Sequence, residues 1–235
     1  MSLRSASSLA VSPEAFQLFY VPLCPASRKV RLILGEKGLT GEWIEEAPNA
    51  RSEAVFAAHH EGGLPLFKDK GRVFVRDYAI QEYLEETYPS VSLLGKTVGE
   101  RAEVRRLTSW FDVRLNREVV APLLTQKVFK RARGRRDPDS YALQAAKSDF
   151  YNHMDYISWL VDRRNWLAGA NLSLADLAAA SQLSCLDYLG DIPWEKYPGA
   201  KAWYVRLKSR PSFRPLLVES FAGLIPARHY RLLDF

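Results

Sequence analysis

The sequence predicts a small α/β domain followed by an all-α domain, in a chain of 235 residues. Two observations support this division. Short apolar and aromatic runs alternate with helical periodicity as far as Pro89, and beyond about residue 100 only helical periodicity remains. The predicted divisions are a disordered lead-in 1–15, an α/β domain 16–89, a linker 90–99, a helical domain 100–217 and a C-terminal tail 218–235.

The first half of the α/β domain reads as strand, helix, strand. A buried strand is predicted at 16–21 and an amphipathic helix at 26–37. In a second strand at 41–46, alternation places Trp43 and Ile44 on opposite faces. Ile44 is the better core residue, so we expect Trp43 to be exposed.

The second half of the α/β domain contains a short helix around 50–59 and two strand-like pieces, 65–67 and 72–75. An amphipathic helix at 78–88 follows and ends at Pro89. The resulting order β-α-β-α-β-β-α fits a mixed sheet with crossover helices.

The remainder of the chain has helical periodicity, with Gly134 and Pro138 separating the first two predicted helices. Ser173 and Asp176 form a capping box at the start of the third. The predicted helices span about 100–132, 139–165, 173–190 and 195–209.

Composition limits the class of protein. Two cysteines, Cys24 and Cys185, cannot form a disulfide framework, which favours a reducing compartment and a cytoplasmic location. The N-terminal stretch is too weakly apolar for a signal peptide, and no uncharged apolar run reaches the roughly 20 residues of a membrane span. No spacing of the histidines indicates a metal site.

The net charge of +6 is concentrated in one stretch. Residues 100–136 hold eleven Lys or Arg and four Asp or Glu, a local net of +7. Such a stretch attracts acidic partners, although a solvated helix surface is the more ordinary explanation. The basic loop 130–136 lacks a nucleic-acid-binding motif, so nucleic acid is an unlikely partner.

Two turns contain residues suited to chemistry. Cys24 joins the first strand to the first helix, where the positive end of the helix dipole favours a thiolate, and Ser27 lies one turn further on. A small apolar residue closing a turn is the alternative role for Cys24. Gly63-Leu64-Pro65 directly precedes a short strand, and in a thioredoxin-like domain this proline is cis.

Four features together give the chain a resemblance to the cytosolic glutathione S-transferase (GST) family, from Phe16 to about Leu217. They are the turn with Cys24 and Ser27, the Gly62–Pro65 turn, the helix 79–89 and the segment 172–176. The resemblance implies a GST fold, with a thioredoxin-like N-terminal domain and an all-α C-terminal domain. It also implies that Asp176 serves folding rather than catalysis.

The resemblance also implies a site. The family's catalytic position falls on Cys24, with Ser27 and Tyr20 as weaker candidates. A cysteine here resembles the branches that perform glutathione-dependent thiol exchange.

Glutathione would then bind at Leu64, Pro65, Asp77 and Tyr78. Where the family usually has Glu/Asp-Ser before its third helix, this chain has Asp77-Tyr78. Tyr78 replaces a small hydrogen-bond donor and adds bulk, which predicts weak glutathione binding.

The C-terminal end, notably 210–217 and 229–235, resembles a group of alphaproteobacterial division factors with this fold. The resemblance implies a homodimer that binds the acidic, tubulin-like protein FtsZ and curves its filaments without needing glutathione. Aromatic and Arg residues dominate interface energies. The candidate contacts are Trp43, Arg228, His229, Tyr230, Leu232, Asp234 and Phe235.

Two hypotheses therefore remain open. The first is a dimeric regulator that binds FtsZ filaments and has weak or no glutathione activity. The second is a glutathione transferase or glutathione-dependent thiol reductase that uses Cys24. For the tail, folding back over the helical domain is an equally good alternative to partner binding.

Overall fold

The computed structural model describes residues 15–130, 134 and 137–235. The predicted lead-in, apart from Ala15, and most of the basic loop 130–136 lie outside the described residues. The others form an α/β domain and a helical domain that share one continuous hydrophobic core. The fold class predicted from the sequence is confirmed.

The α/β domain is built on a four-stranded sheet of order β2-β1-β3-β4. Strand β1 pairs in parallel with β2 and antiparallel with β3, and β3 pairs antiparallel with β4. Strand β2 is therefore an edge strand. The elements are β1 (Phe16–Tyr20), α1 (Pro25–Glu36), β2 (Gly41–Glu45), α2 (Glu53–Ala58), β3 (Leu66–Asp69), β4 (Arg72–Val75) and α3 (Asp77–Thr87).

The two faces of β2 follow the predicted alternation. Ile44 is half-buried and packs against a small cluster that includes Phe19 and Leu66. Trp43 lies on the other face, where its ring meets Phe16 edge-to-face at 5.6 Å and stays 40% exposed. The prediction of an exposed Trp43 is confirmed.

The helical domain begins with a long run, α4, whose middle departs from regular α-helix. It starts as Val98–Ser109, and stretches of i→i+5 hydrogen bonding at Trp110–Val120 and Thr125–Phe129 flank a regular turn. At the end of the first stretch, the Ala121 N–H donates to the Asn116 carbonyl. The later helices are α5 (Ser140–Val161), α6 (Leu174–Leu189), α7 (Pro198–Lys208) and α8 (Arg214–Leu217).

Asp176 fixes the start of α6. Its Oδ2 accepts hydrogen bonds from the Ser173 N–H and hydroxyl, which completes the predicted capping box. Its Oδ1 accepts from the Leu167 N–H at 2.8 Å and from Trp203 Nε1 at 2.9 Å. Burial raises the pKa of Asp176, and these hydrogen bonds oppose the shift. Asp176 thus connects three segments of the helical domain.

The C-terminal segment, residues 218–235, packs back onto the helical domain. Tyr230 is completely buried, and its hydroxyl donates to the Leu216 carbonyl at 2.9 Å. The Ala227 N–H donates to the Tyr188 carbonyl on α6 at 2.9 Å. This is the folded-back alternative, and it makes the segment part of the core.

None of the helices in the described residues is both long and apolar enough to span a bilayer.

Candidate functional sites

The first candidate site is the turn between β1 and α1. Cys24 is the N-cap residue of α1, half-buried, and Pro25 follows it as the first helical residue. The preceding Leu23 has a left-handed φ of 56°, and its carbonyl accepts from the Cys185 thiol at 3.4 Å. The turn therefore presents one partly accessible thiol above a buried one. Burial raises the pKa of Cys185 to about 12, which keeps that thiol protonated and unreactive.

The side chains of Ser27 and Tyr20, the weaker catalytic candidates, are engaged in other hydrogen bonds. Ser27 is fully buried, and its hydroxyl oxygen accepts from the Val21 N–H at 3.3 Å. It stabilises the turn and is inaccessible to a substrate, which corrects its assignment as a catalytic candidate. The Tyr20 hydroxyl donates to Glu45 on β2 at 3.5 Å.

The second turn has the predicted backbone geometry, because the Leu64–Pro65 peptide bond is cis. The Pro65 carbonyl accepts from the Arg76 N–H at 3.3 Å, which ties this turn to the start of α3.

The start of α3 lies one residue earlier than the sequence suggested. Arg76 is the N-cap, with φ 73° and ψ 131°, and Asp77 is the first helical residue. The left-handed φ of Arg76 turns the chain before the helix begins. Asp77 and Tyr78 are therefore the first and second residues of the helix, and both lie in its first turn. Tyr78 is 60% exposed and lies at the mouth of the adjoining cleft.

A cleft of about 380 Å³ opens between the two domains beside α3. Two carboxylates, Asp77 of α3 and Asp112 of α4, lie on its walls. The buried Lys29 of α1 contacts both: its Nζ is 2.6 Å from Asp77 and also pairs with Asp112. The lining residues are Ala26, Asp77, Tyr78, Arg105, Thr108, Ser109, Asp112, Val113, Asn116 and Gln182.

The buried Lys29 ammonium group is thus shared between the carboxylates of Asp77 and Asp112, and the pKa values of Lys29 and Asp112 are both shifted. Burial alone would lower the pKa of Lys29, but Asp112 and Asp77 outweigh it and raise that pKa. Burial raises the pKa of Asp112 to about 6, repulsion from Asp77 adds to the shift, and Lys29 opposes it. The sequence analysis missed Lys29 and Asp112, because no local motif links residues 83 positions apart.

The second candidate site is the surface around Trp43. The Arg31 guanidinium of α1 lies 4.4 Å from the centre of the Tyr20 ring and 5.9 Å from that of Trp43. The same guanidinium pairs with Glu219 of the C-terminal segment. Glu219 also pairs with Arg28, whose Nη2 lies 2.5 Å away.

The predicted tail contacts divide into exposed and buried sets. Arg228, Leu232 and Asp234 are exposed, with Leu232 at 52%. His229 is half-buried, and its Nε2 lies 2.9 Å from Asp187. Phe235 is also half-buried and packs against other aromatic rings.

Tyr230 has no surface to offer a partner, so its assignment as a contact is corrected. The C-terminal segment has no helical or strand periodicity, so the sequence does not indicate that Tyr230 is buried.

The basic stretch is partly neutralised where the structure describes it. Arg106 pairs with Glu103, and Arg114 pairs with Glu118, within α4 itself. Other pairs reach outside the stretch, as Arg105 does to Glu82. Among the described residues, no cluster of three or more His, Cys, Asp or Glu side chains could hold a metal ion.

Comparison with known proteins identifies the class. The family model for the glutathione S-transferase N-terminal domain matches residues 18–95, and that for the C-terminal domain matches residues 120–211. The chain belongs to the glutathione S-transferase family.

Individual proteins match this chain over more of its length than the family models do. FtsZ-localized protein A of Caulobacter vibrioides is 44% identical over 224 residues, covering 93% of this chain and 97% of the relative. The solved structure of FzlA from C. crescentus has a TM-score of 0.90 at 42% identity, covering 94% of this chain and all of that one. A solved glutathione S-transferase from Rhodospirillum rubrum has a TM-score of 0.90 at 48% identity, with the same coverage.

The family uses glutathione as its substrate, but one residue in the first turn of α3 does not fit it. A helix N-terminus favours an anion such as the γ-glutamyl carboxylate. Asp77 matches the acidic residue that the family usually has here, and it is paired with Lys29. Tyr78 stands where the family has a small hydrogen-bond donor, and it lines the cleft. The cis Pro65 turn has the geometry expected of a glutathione site.

Proposed function

We propose that this protein is a cytoplasmic, homodimeric regulator of cell division that binds FtsZ filaments and has weak or no glutathione-dependent activity. The observation that carries the proposal is the similarity, over 93% of the chain, to a protein described as FtsZ-localized. A shared fold alone would not distinguish an enzyme from a binding protein.

The surface features support a binding role. Trp43 lies on edge strand β2 with 40% of its surface exposed, a position from which a large ring can enter a partner's pocket. Leu232 exposes apolar surface on the C-terminal segment. A two-fold dimer presents each of these surfaces twice and could bridge filaments by avidity.

The chemistry of the cleft argues against the competing enzyme. Tyr78 adds bulk to the cleft in place of a small hydrogen-bond donor, so a reaction at Cys24 would bind its usual thiol co-substrate weakly. The half-buried Cys24 at the N-cap of α1 and the cis Pro65 turn are the observations that favour a glutathione transferase or thiol reductase.

Co-sedimentation with GTP-polymerised FtsZ from an alphaproteobacterium tests the proposal. We expect the wild-type protein to pellet with filaments at low salt and less so at moderate salt, since the chain carries a net charge of +6. An absence of pelleting at both salt concentrations would refute the proposal. Glutathione calorimetry and a thiol-transfer assay on Cys24 would then test the enzyme.

Point variants separate the two functions. Trp43→Ala should weaken filament binding by about 30-fold, the equivalent of about 2 kcal/mol for an interface aromatic. Trp159→Ala is the matched control, because Trp159 is 47% exposed on α5. Cys24→Ala should leave filament binding unchanged, and a loss of binding without misfolding would contradict the assignment of roles.

A further inference from the structure

Trp43 and the C-terminal segment are far apart in sequence, yet one side chain joins them. Arg31 projects from α1 with only 7% of its surface exposed. Its guanidinium pairs with Glu219 and also lies over the rings of Tyr20 and Trp43. A second donor group, Nη2, reaches the Pro215 carbonyl at 3.4 Å.

The charges of Arg28, Arg31 and Glu219 explain why the Arg31 guanidinium lies over aromatic rings. Arg28 and Arg31 share the single carboxylate of Glu219, so the cluster keeps one net positive charge. Burial would raise the pKa of Glu219, but the two guanidinium groups outweigh it and lower that pKa. The remaining positive charge is stabilised by the faces of Tyr20 and Trp43, which offer cation–π contacts in place of a second carboxylate.

The contacts give Trp43 a defined orientation. Its ring is restrained by Phe16 at 5.6 Å on one side and by the Arg31 guanidinium at 5.9 Å on another. A planar guanidinium restrains an aromatic ring better than a flexible ammonium group does. The position of Arg31 depends in turn on Glu219, so the C-terminal segment restrains Trp43 through Arg31.

We infer that Arg31 is a positioning residue, which Glu219 holds against Trp43 so that β2 and the C-terminal segment form one preorganised docking surface. The inference rests on the proposed function, since its partner is the FtsZ filament. Preorganisation strengthens binding by reducing the conformational entropy lost at an interface.

A double-mutant cycle tests whether Arg31 acts through Trp43. In the wild-type background, Arg31→Met should weaken filament binding by about tenfold, the equivalent of one cation–π contact. In the Trp43→Ala background, the same substitution should cost less than about twofold, because no ring is left to position. Additive losses would overturn the inference.

A matched control shows whether the loss of any ion pair between α1 and the C-terminal part of the chain weakens filament binding. Arg210 also joins α1 to the C-terminal part of the chain, through Glu36 at 2.6 and 2.7 Å. Arg210→Met therefore breaks a similar ion pair between the same parts of the fold. It should leave filament binding unchanged, and a loss as large as that of Arg31→Met would overturn the inference.

A second readout does not depend on FtsZ. The protein contains six tryptophans, and fluorine NMR of 5-fluorotryptophan-labelled protein resolves them, with Trp43→Phe assigning the Trp43 resonance. Arg31→Met and Glu219→Gln should both move that resonance, whereas Arg210→Met should not. An unmoved resonance in both test variants would overturn the inference.

These experiments also distinguish failure of the proposed function from failure of the inference about Arg31, and they provide for a variant that does not fold. If the wild-type protein does not pellet with FtsZ, the proposed function fails, and the fluorine spectra still decide whether Arg31 positions Trp43. Arg31→Met leaves Glu219 paired with Arg28, so it preserves a balanced buried pair. If circular dichroism shows that Arg31→Met is unfolded, Arg31→Lys keeps the charge without the planar group, and the same shift is expected.

Discussion

The buried ion pair between Asp187 and Lys208 makes a sharp prediction about stability. Both side chains are completely inaccessible, and Lys208 Nζ lies 3.4 Å from Asp187 Oδ2. The carboxylate of Asp187 also accepts from Trp194 Nε1 at 2.9 Å and the Tyr204 hydroxyl at 3.3 Å. Asp187→Asn would leave the Lys208 charge buried and would offer these donors a single acceptor oxygen.

Breaking a buried pair from one side costs about 3–5 kcal/mol. We therefore expect Asp187→Asn to lower the free energy of unfolding by about 4 kcal/mol, and Tm by about 10 °C for a chain of this size. Adding Lys208→Met removes the unpaired charge and keeps an apolar stem of similar length. The double variant should thus be more stable than Asp187→Asn alone by at least about 1 kcal/mol.

Urea unfolding at pH 7 measures these differences, and hydrogen exchange of 221–235 locates them. Lys208 also holds the C-terminal segment: its Nζ donates to the His229 carbonyl at 3.1 Å and lies 4.0 Å from the Phe235 ring centre. Exchange in that segment should therefore rise in Asp187→Asn. Glu195→Gln, which breaks an ion pair whose carboxylate is 90% exposed, should change stability by less than about 0.5 kcal/mol. The reasoning is refuted if the double variant is no more stable than Asp187→Asn.

Three further predictions concern Asp176, Asp112 and Tyr78. Asp176→Ala removes the acceptor for the Trp203 indole and the Leu167 N–H, and should cost about 3 kcal/mol in a thermal melt; a cost below about 1 kcal/mol would contradict its central role. Asp112 has a folded-state pKa of about 6 against an ordinary 3.8, so the folded state loses up to about 3 kcal/mol as the pH rises from 4 to 7. Asp112→Asn should remove that loss, which urea titrations across this pH range measure as a pH-dependent difference from wild type; a constant difference would refute the assignment. Tyr78→Ser should raise glutathione affinity by at least about tenfold in calorimetry, since it restores a small hydrogen-bond donor in the first turn of α3 and removes bulk from the cleft; an unchanged affinity would mean that Tyr78 is not the obstacle.

The features that the sequence predicted correctly depend on neighbours close along the chain. The capping box needs only Ser173 and Asp176, three positions apart. The exposure of Trp43 follows from strand alternation with Ile44. The order of strands and helices rests on the same kind of local periodicity.

The features that it missed depend on contacts between distant segments. The polar face of α1 carries Arg28, Lys29 and Arg31, which sequence patterns assign to solvent because isolated charges are rarely buried. All three are buried, because Glu219, Asp77 and Asp112 supply partners from elsewhere in the chain.

The start of α3 was misplaced by one residue for a different reason. A left-handed φ at Arg76 is unusual for a residue other than glycine, and nothing in the sequence signals it. The shift places both Asp77 and Tyr78 within the first turn of α3.

The packing of Tyr230 also affects how the protein is made. Domains generally fold from the N-terminus during synthesis. Here the aromatic ring that fills the space between α6 and α8 comes from residue 230, and Phe235 packs against Trp194. A nascent chain that has not yet emerged this far would expose apolar surface on α6 and leave Lys208 without its full set of contacts. Premature termination shortly before Tyr230 would therefore release an aggregation-prone chain rather than a shortened but folded protein.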